Sequence, residues 1–203
     1  LVLRDRDLLL RLRELAATIA AQGVTVFQTG PSLWKVILDE LPDFPHLRVA
    51  IFTGEATPPS LARRMLQVAD RVWNVYGPTE TTVWCSGMRV ELPPIASDGL
   101  SSVAASIGFP MTDVEMIVVD EENRPVPDGT HGELLLGGPC VGRGYYGNPT
   151  LTAERFVTLP NGRRYYRSGD VGERAADGSF AFHGRNDDQI KVRGVRIEPM
   201  EIE

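Results

Sequence analysis

Arg71-Val72-Trp73-Asn74-Val75-Tyr76-Gly77-Pro78-Thr79-Glu80-Thr81-Thr82 runs from a β-forming stretch straight into a Gly-Pro loop that carries hydroxyls and a carboxylate. It reads as the third strand of a repeating pattern. Upstream, Arg48–Thr53 is a strand ending at Gly54, and Val24–Phe27 is a short buried strand. Helical patterns fill the intervals. Leu8, Leu12, Leu15 and Ile19 recur at spacings of four, three and four, which predicts an amphipathic helix over Asp7–Ala21 closed by Gly23. Pro31 opens a helix to Leu41, which Pro42 stops, and Thr57 before Pro58 predicts an N-cap for a helix reaching Ala69. Strands alternating with helices imply βα units and a mainly parallel sheet.

Beyond Trp84 the pattern changes. Leu92-Pro93-Pro94 and Ser97-Asp98-Gly99 mark an irregular stretch. From about Ser106 short strands alternate with tight turns: Glu115–Val119, Glu133–Leu136, Tyr165–Arg167 and Ser179–Phe182, the last preceded by the turn dipeptide Asp177-Gly178. Only Leu151–Phe156 has a helical look. The expected fold class is α/β plus β: a parallel α/β portion, then a distorted antiparallel β-barrel.

Composition narrows the function. With 21 basic and 27 acidic residues among 203, the net charge is −6, which argues against nucleic acid as a partner. No apolar run reaches the ~20 residues of a membrane span. Cys85 and Cys140 are isolated, which fits a reducing, cytoplasmic setting, and His46, His131 and His183 are scattered singly, so surface or structural roles are expected for them and not zinc binding.

Four clusters carry chemistry. A loop beyond the carboxyl end of a strand is where open α/β sheets bind ligands, and Asn74–Thr82 offers a ring, a hydroxyl and a carboxylate there. An ordinary Gly-Pro turn would look the same. Gly132-Glu133-Leu134 and the glycines through Gly147 read chiefly as hairpin and bulge positions. In Tyr166-Arg167-Ser168-Gly169-Asp170, Asp170 closes a strand at a Gly turn, as a ribose-binding carboxylate or a plain turn residue. Gly184–Glu198 reads as a charged hairpin.

Together, in this order and spacing, Val75–Glu80, Gly132-Glu133-Leu134, Arg143–Tyr146 with Asn148–Phe156, Tyr166–Asp170 and Gly184–Glu198 resemble the adenylate-forming superfamily. The likeness is greatest to adenylation domains of nonribosomal peptide synthetases. The resemblance covers the chain from Val24 onward. It implies two half-reactions: an amino-acid carboxylate attacks the α-phosphate of ATP, then the acyl group passes to the phosphopantetheine thiol of a peptidyl carrier protein. The cofactors implied are ATP/AMP and Mg²⁺, and neighbouring synthetase domains are implied as further partners.

Residue by residue, the resemblance implies that Tyr76 stacks on adenine with Asn74 near the base and Gly77 in the same loop. Gly54-Glu55-Ala56 would wall the other side. Thr79 would bind phosphate, Glu80 would hold the metal, Asp170 would take the ribose hydroxyls with Arg185 assisting, and Asp187 would be the hinge of a small C-terminal subdomain. Gln28, Ile51, Thr53, Val75, Val83 and Trp84 would line an amino-acid pocket, with the bulk of Gln28 and Trp84 favouring a small side chain. The expected division is 1–104 for the α/β part, 105–187 for the barrel-like part and 188–203 for the start of the C-terminal subdomain. The family's phosphate loop, amino-gripping Asp and catalytic Lys match nothing in this sequence, so these 203 residues are expected to be a segment that is inactive alone. The alternatives are a stand-alone acyl or aryl acid ligase of the same fold, and a noncatalytic nucleotide-binding fragment.

Overall fold

Side chains three and four apart decide the first helices. In α1 (Leu12–Ala21), Leu15 and Ile19 are buried; in α2 (Pro31–Glu40), Trp34, Ile37 and Leu38 are, with Pro31 at the first turn. Fully burying one such side chain stabilises by roughly 1.5–3 kcal/mol. The computed structural model describes residues 11–55, 57–91, 106–186, 190–192 and 195–197. The first turns of the expected Asp7–Ala21 helix and the irregular Leu92–Gly99 stretch lie outside them.

The described residues fall into two units. In the first, β1 (Val26–Thr29) pairs in parallel with β2 (Leu47–Thr53), in the strand order β1-β2-β3. Helix α3 (Pro59–Val68) runs directly into β3 (Ala69–Tyr76), which leaves this unit after Asn74. The core gathers Trp34, Ile37, Leu47, Phe52, Met65 and Val72.

Two expectations need correcting here. The strand expected at Val24–Phe27 lies at Val26–Thr29 and is not buried: Val26 is exposed, because β1 ends the strand order, while Phe27 packs edge-on against Trp34. Thr57 is not the cap of α3. Pro58 takes that position with an extended backbone (ψ 139°), which moves the helix start past Thr57 and leaves its hydroxyl buried.

The second unit is antiparallel. Its strands are β4 (Ser86–Arg89), β5 (Ser106–Pro110), β6 (Glu115–Val119), β7 (Gly132–Gly137), β8 (Phe156–Thr158), β9 (Arg164–Arg174) and β10 (Phe180–Arg185). The order is β4-β5-β10-β9-β7-β6, an open sheet in place of a distorted barrel, with β6 at its edge. One edge of β9 takes β7. The other takes β8 at Arg164–Tyr166 and then β10 at Asp170–Arg174. Helix α4 (Pro149–Arg155) is capped by the Asn148 side chain, which accepts from the Leu151 amide at 3.0 Å. Leu134, Leu136, Tyr166 and Phe180 fill the core.

Asp170 lies inside β9 and does not close a strand as expected. Gly169 takes φ +71°, which most side chains avoid, and the ladder absorbs it by a register shift between Glu133 and Leu135, so the strand continues. Farther on, β11 (Ile190–Val192) and β12 (Val195–Ile197) form a two-stranded sheet. No helix among the described residues is long and apolar enough to cross a membrane.

Candidate functional site

The last residue of β3, Tyr76, donates its phenol proton to Asp170 Oδ2. Arg185 Nη1 donates to Asp170 Oδ1 at 2.6 Å, and the two residues are register partners across β9 and β10. Asp170 is only 3% exposed. A carboxylate can stay charged there because both oxygens receive donors and a guanidinium neutralises it. Burial, and then the Asp170 charge, push the Tyr76 phenol well above its ordinary range, so it stays a protonated donor.

A second layer holds Asp170 in place. Its amide donates to Ser168 Oγ at 3.0 Å, and Ser168 Oγ donates to the Leu134 carbonyl at 2.7 Å. The buried Glu133 binds both sides of this bend. Its Oε1 accepts from the Gly169 amide at 3.1 Å, while its Oε2 accepts from Arg167 Nε at 3.1 Å and Nη2 at 2.5 Å. Gly132-Glu133-Leu134 read chiefly as hairpin geometry in the sequence, yet Glu133 fixes the carboxylate at the centre of the cluster. The signal that could have found it is an ionisable residue inside an otherwise apolar strand, Gly132–Gly137.

Gly77, Thr79 and Glu80 follow Tyr76 in a tight loop with a 3-10 turn at Thr79–Thr81. A Cβ on Gly77 would stand 2.5 Å from the Val83 carbonyl oxygen and 2.7 Å from Trp84 Cα, so only glycine fits. Gly77→Ala should therefore lower the thermal midpoint, by roughly 1–3 kcal/mol of overpacking or more against rigid backbone, and shift the near-ultraviolet signal of Trp84. A variant that melts with the parent would refute this close approach. Glu80 Oε1 accepts from the Tyr145 hydroxyl at 2.6 Å, and the Glu80 carbonyl accepts from the Gly142 amide at 2.7 Å. Thr79 is exposed and Glu80 half-buried.

The remaining predicted residues divide between the units. In the first, Gln28 of β1 and Ile51 of β2 are register partners, and the Ile51 carbonyl accepts from Trp34 Nε1 at 3.0 Å. Thr53 ends β2; Gly54 follows at φ +88°, and Glu55 accepts from the Ser32 hydroxyl. Asn74 is buried. In the second, Val75 is buried, Val83 is 57% exposed, and the Trp84 indole nitrogen is buried without a partner among the described residues. Cys85 packs beneath Tyr76, where burial pushes its thiol up to about 12. Ala56 and Asp187 lie outside the described residues.

The buried Asp170 carboxylate is thus clamped by a phenol and a guanidinium, and the phenol, Tyr76, directly precedes the Gly-Pro loop that bears Thr79 and Glu80. The chain belongs to the AMP-binding enzyme family, whose model matches residues 1–146. It is 43% identical over 194 residues to CymA of Salinispora arenicola, a probable non-canonical nonribosomal peptide synthetase, covering 94% of this chain and 2% of that protein. It superposes with TM-score 0.81 and 29% identity on NpsA-ThdA, an artificially fused adenylation–PCP di-domain from Klebsiella oxytoca, covering 97% of this chain and 38% of that one. With AlmE, a Vibrio cholerae adenylation domain in complex with glycyl-adenosine-5'-phosphate, the TM-score is 0.80 at 30% identity, over 94% of this chain and 37% of that one. The chain thus spans a small part of the curated synthetases and under half of the solved adenylation proteins it matches.

Proposed function

We propose that the chain serves amino-acid adenylation in nonribosomal peptide synthesis. A carboxylate oxygen of the amino acid attacks the α-phosphorus of ATP, the bond to the β-phosphate oxygen breaks, and pyrophosphate leaves. The carrier protein's phosphopantetheine thiolate then attacks the acyl carbon and AMP departs. The observation that carries this reading is the Tyr76–Asp170–Arg185 cluster. A carboxylate offers about four acceptor sites in all, and Asp170, held by Tyr76 and Arg185, is proposed as the acceptor for the ribose hydroxyls. Its charge makes those bonds strong, and its fixed position means that little ordering is left for binding.

The Tyr76 ring is proposed as the adenine platform, with Asn74, Gly54, Glu55 and Ala56 around the base and Gly77 setting the loop. Thr79 donates its hydroxyl to phosphate. Glu80 and the neighbouring Thr79 are hard oxygen donors, a set that suits Mg²⁺, and the ion would neutralise phosphate charge there. Tyr145 holds the Glu80 carboxylate in one orientation. We assign Gln28, Ile51, Thr53, Val75, Val83 and Trp84 to the amino-acid pocket and Asp187 to the hinge, with divisions near 104 and 187. A small amino acid is favoured by the bulk of Trp84 and Gln28, and AlmE, a similar protein, is bound to a glycyl adenylate.

Glu80→Gln tests the metal assignment in the full-length protein. An amide is a poor ligand for a hard dication, so pyrophosphate exchange should fall roughly 100-fold, with partial recovery at high Mg²⁺. Exchange at the parent rate throughout a Mg²⁺ titration would remove Glu80 as the ligand.

A further inference from the structure

Three neighbouring strands bring together residues that are far apart in sequence. In β7 and β9, Gly132 is opposite Gly172, so His131, one residue before β7, comes opposite Glu173. In β9 and β10, Glu173 is opposite Ala181, and the register shifts between Phe182 and Gly184, leaving His183 as the extra residue of a bulge. Side chains alternate along strands, so His131, Glu173 and His183 share one face of the sheet. His131 Nε2 is 3.1 Å from Glu173 Oε2, and His183 Nε2 is 3.6 Å from the same oxygen. The imidazoles stack at 4.2 Å with 24° between their planes, and the three ligand atoms all lie within 4.8 Å of one another.

We propose that His131, Glu173 and His183 form a binding site for a divalent transition-metal ion of the zinc type, separate from the Glu80 loop. Metal–ligand bonds of about 2.0–2.2 Å in a tetrahedron put ligand atoms about 3.3–3.6 Å apart, a range that the observed 3.1 and 3.6 Å separations approach from below and meet. Two imidazoles and one carboxylate suit Zn²⁺ or Co²⁺ and not Mg²⁺ or Ca²⁺, which take all-oxygen sets. Both nitrogens already converge on the carboxylate, and the exposed His131 is free to adjust its ring, so little rearrangement is needed to close around an ion. Water fills the fourth position. The bound ion ties the start of β7 to the end of β9 and to the bulge of β10. Arg185, which grips Asp170, is two residues past His183 on that strand, so the ion braces the strand that carries Arg185.

The test is titration of the metal-stripped full chain with Zn²⁺ by calorimetry and with Co²⁺ by visible absorption, at pH 7.5. One saturable equivalent is expected, with the intense ligand-field bands of four-coordinate Co²⁺ and no thiolate charge-transfer band. His131→Ala, His183→Gln and Glu173→Gln should each weaken binding by at least the roughly 10- to 100-fold that even an outer-sphere change costs. His46→Ala, at a histidine paired with Asp70 elsewhere, should change nothing. His131 is exposed and outside any strand, so its variant tests the site even if changes at the bulge disturb folding. Absence of saturable binding, or binding that His131→Ala leaves intact, overturns the proposal.

Discussion

Asp170→Ala should reduce amino-acid-dependent pyrophosphate exchange by roughly 100- to 10,000-fold in the full-length protein. In the proposed role, two hydrogen bonds from ribose hydroxyls to a charged acceptor would be lost, each worth about 1.5–3 kcal/mol. Arg185 and Tyr76 lose their shared acceptor in the same step, so the ring and the guanidinium drift from their positions. The loss should fall chiefly on the ATP side, leaving discrimination among amino acids unchanged. Asp170→Asn separates charge from shape: it keeps the size and one acceptor, and should lie between the alanine variant and the parent. An alanine variant that folds and exchanges within about threefold of the parent would mean that Asp170 does not contact the nucleotide.

Glu133→Ala is expected to have the largest effect on stability. It strips the acceptor from the Gly169 amide and leaves Arg167 without this partner in a largely buried strand. Breaking a fully buried pair costs about 3–5 kcal/mol. Arg167 is 29% exposed, so water recovers part of that, and about 2–4 kcal/mol is expected. For a chain of this length the melting midpoint should drop by roughly 5–15 °C. Exchange should fall as well, because the bend at Gly169 presents Asp170. Glu133→Gln, which retains an acceptor for Gly169, should recover part of both. An unchanged midpoint for the alanine variant would show that the Glu133–Arg167 pair contributes nothing to the fold.

The helices and strands of the first unit were legible because their signals are local. Leu15 and Ile19, or Trp34, Ile37 and Leu38, declare a buried face by spacing alone. Elements that depend on distant partners were read less well. The full length of β9 was hidden because Gly169 looks like a strand end, and only pairing with β7, β8 and β10 carries the backbone through it. Whether a run of antiparallel strands closes into a barrel is decided by its edge pairings, which no single segment encodes, and here β6 ends an open sheet.

The candidate site divides in the same way. Tyr76, Glu80, Asp170 and Arg185 stood out by motif, and the fold brings Tyr76, Asp170 and Arg185 into one hydrogen-bonded cluster. Glu133, Ser168 and Tyr145 act by holding those residues through bonds that span 36, 34 and 65 positions, and no local segment encodes such a pairing. His131 and His183 looked unrelated for the same reason, since they meet only through the register of β7, β9 and β10.

The most direct test is pyrophosphate exchange by the full-length protein across a panel of amino acids, with ATP and Mg²⁺ held constant. Adenylation predicts exchange that depends on one or a few amino acids, with small side chains preferred, and that disappears with Asp170→Ala. Exchange driven by acids lacking an amino group, or none with any amino acid in a folded and active-site-intact protein, would contradict it.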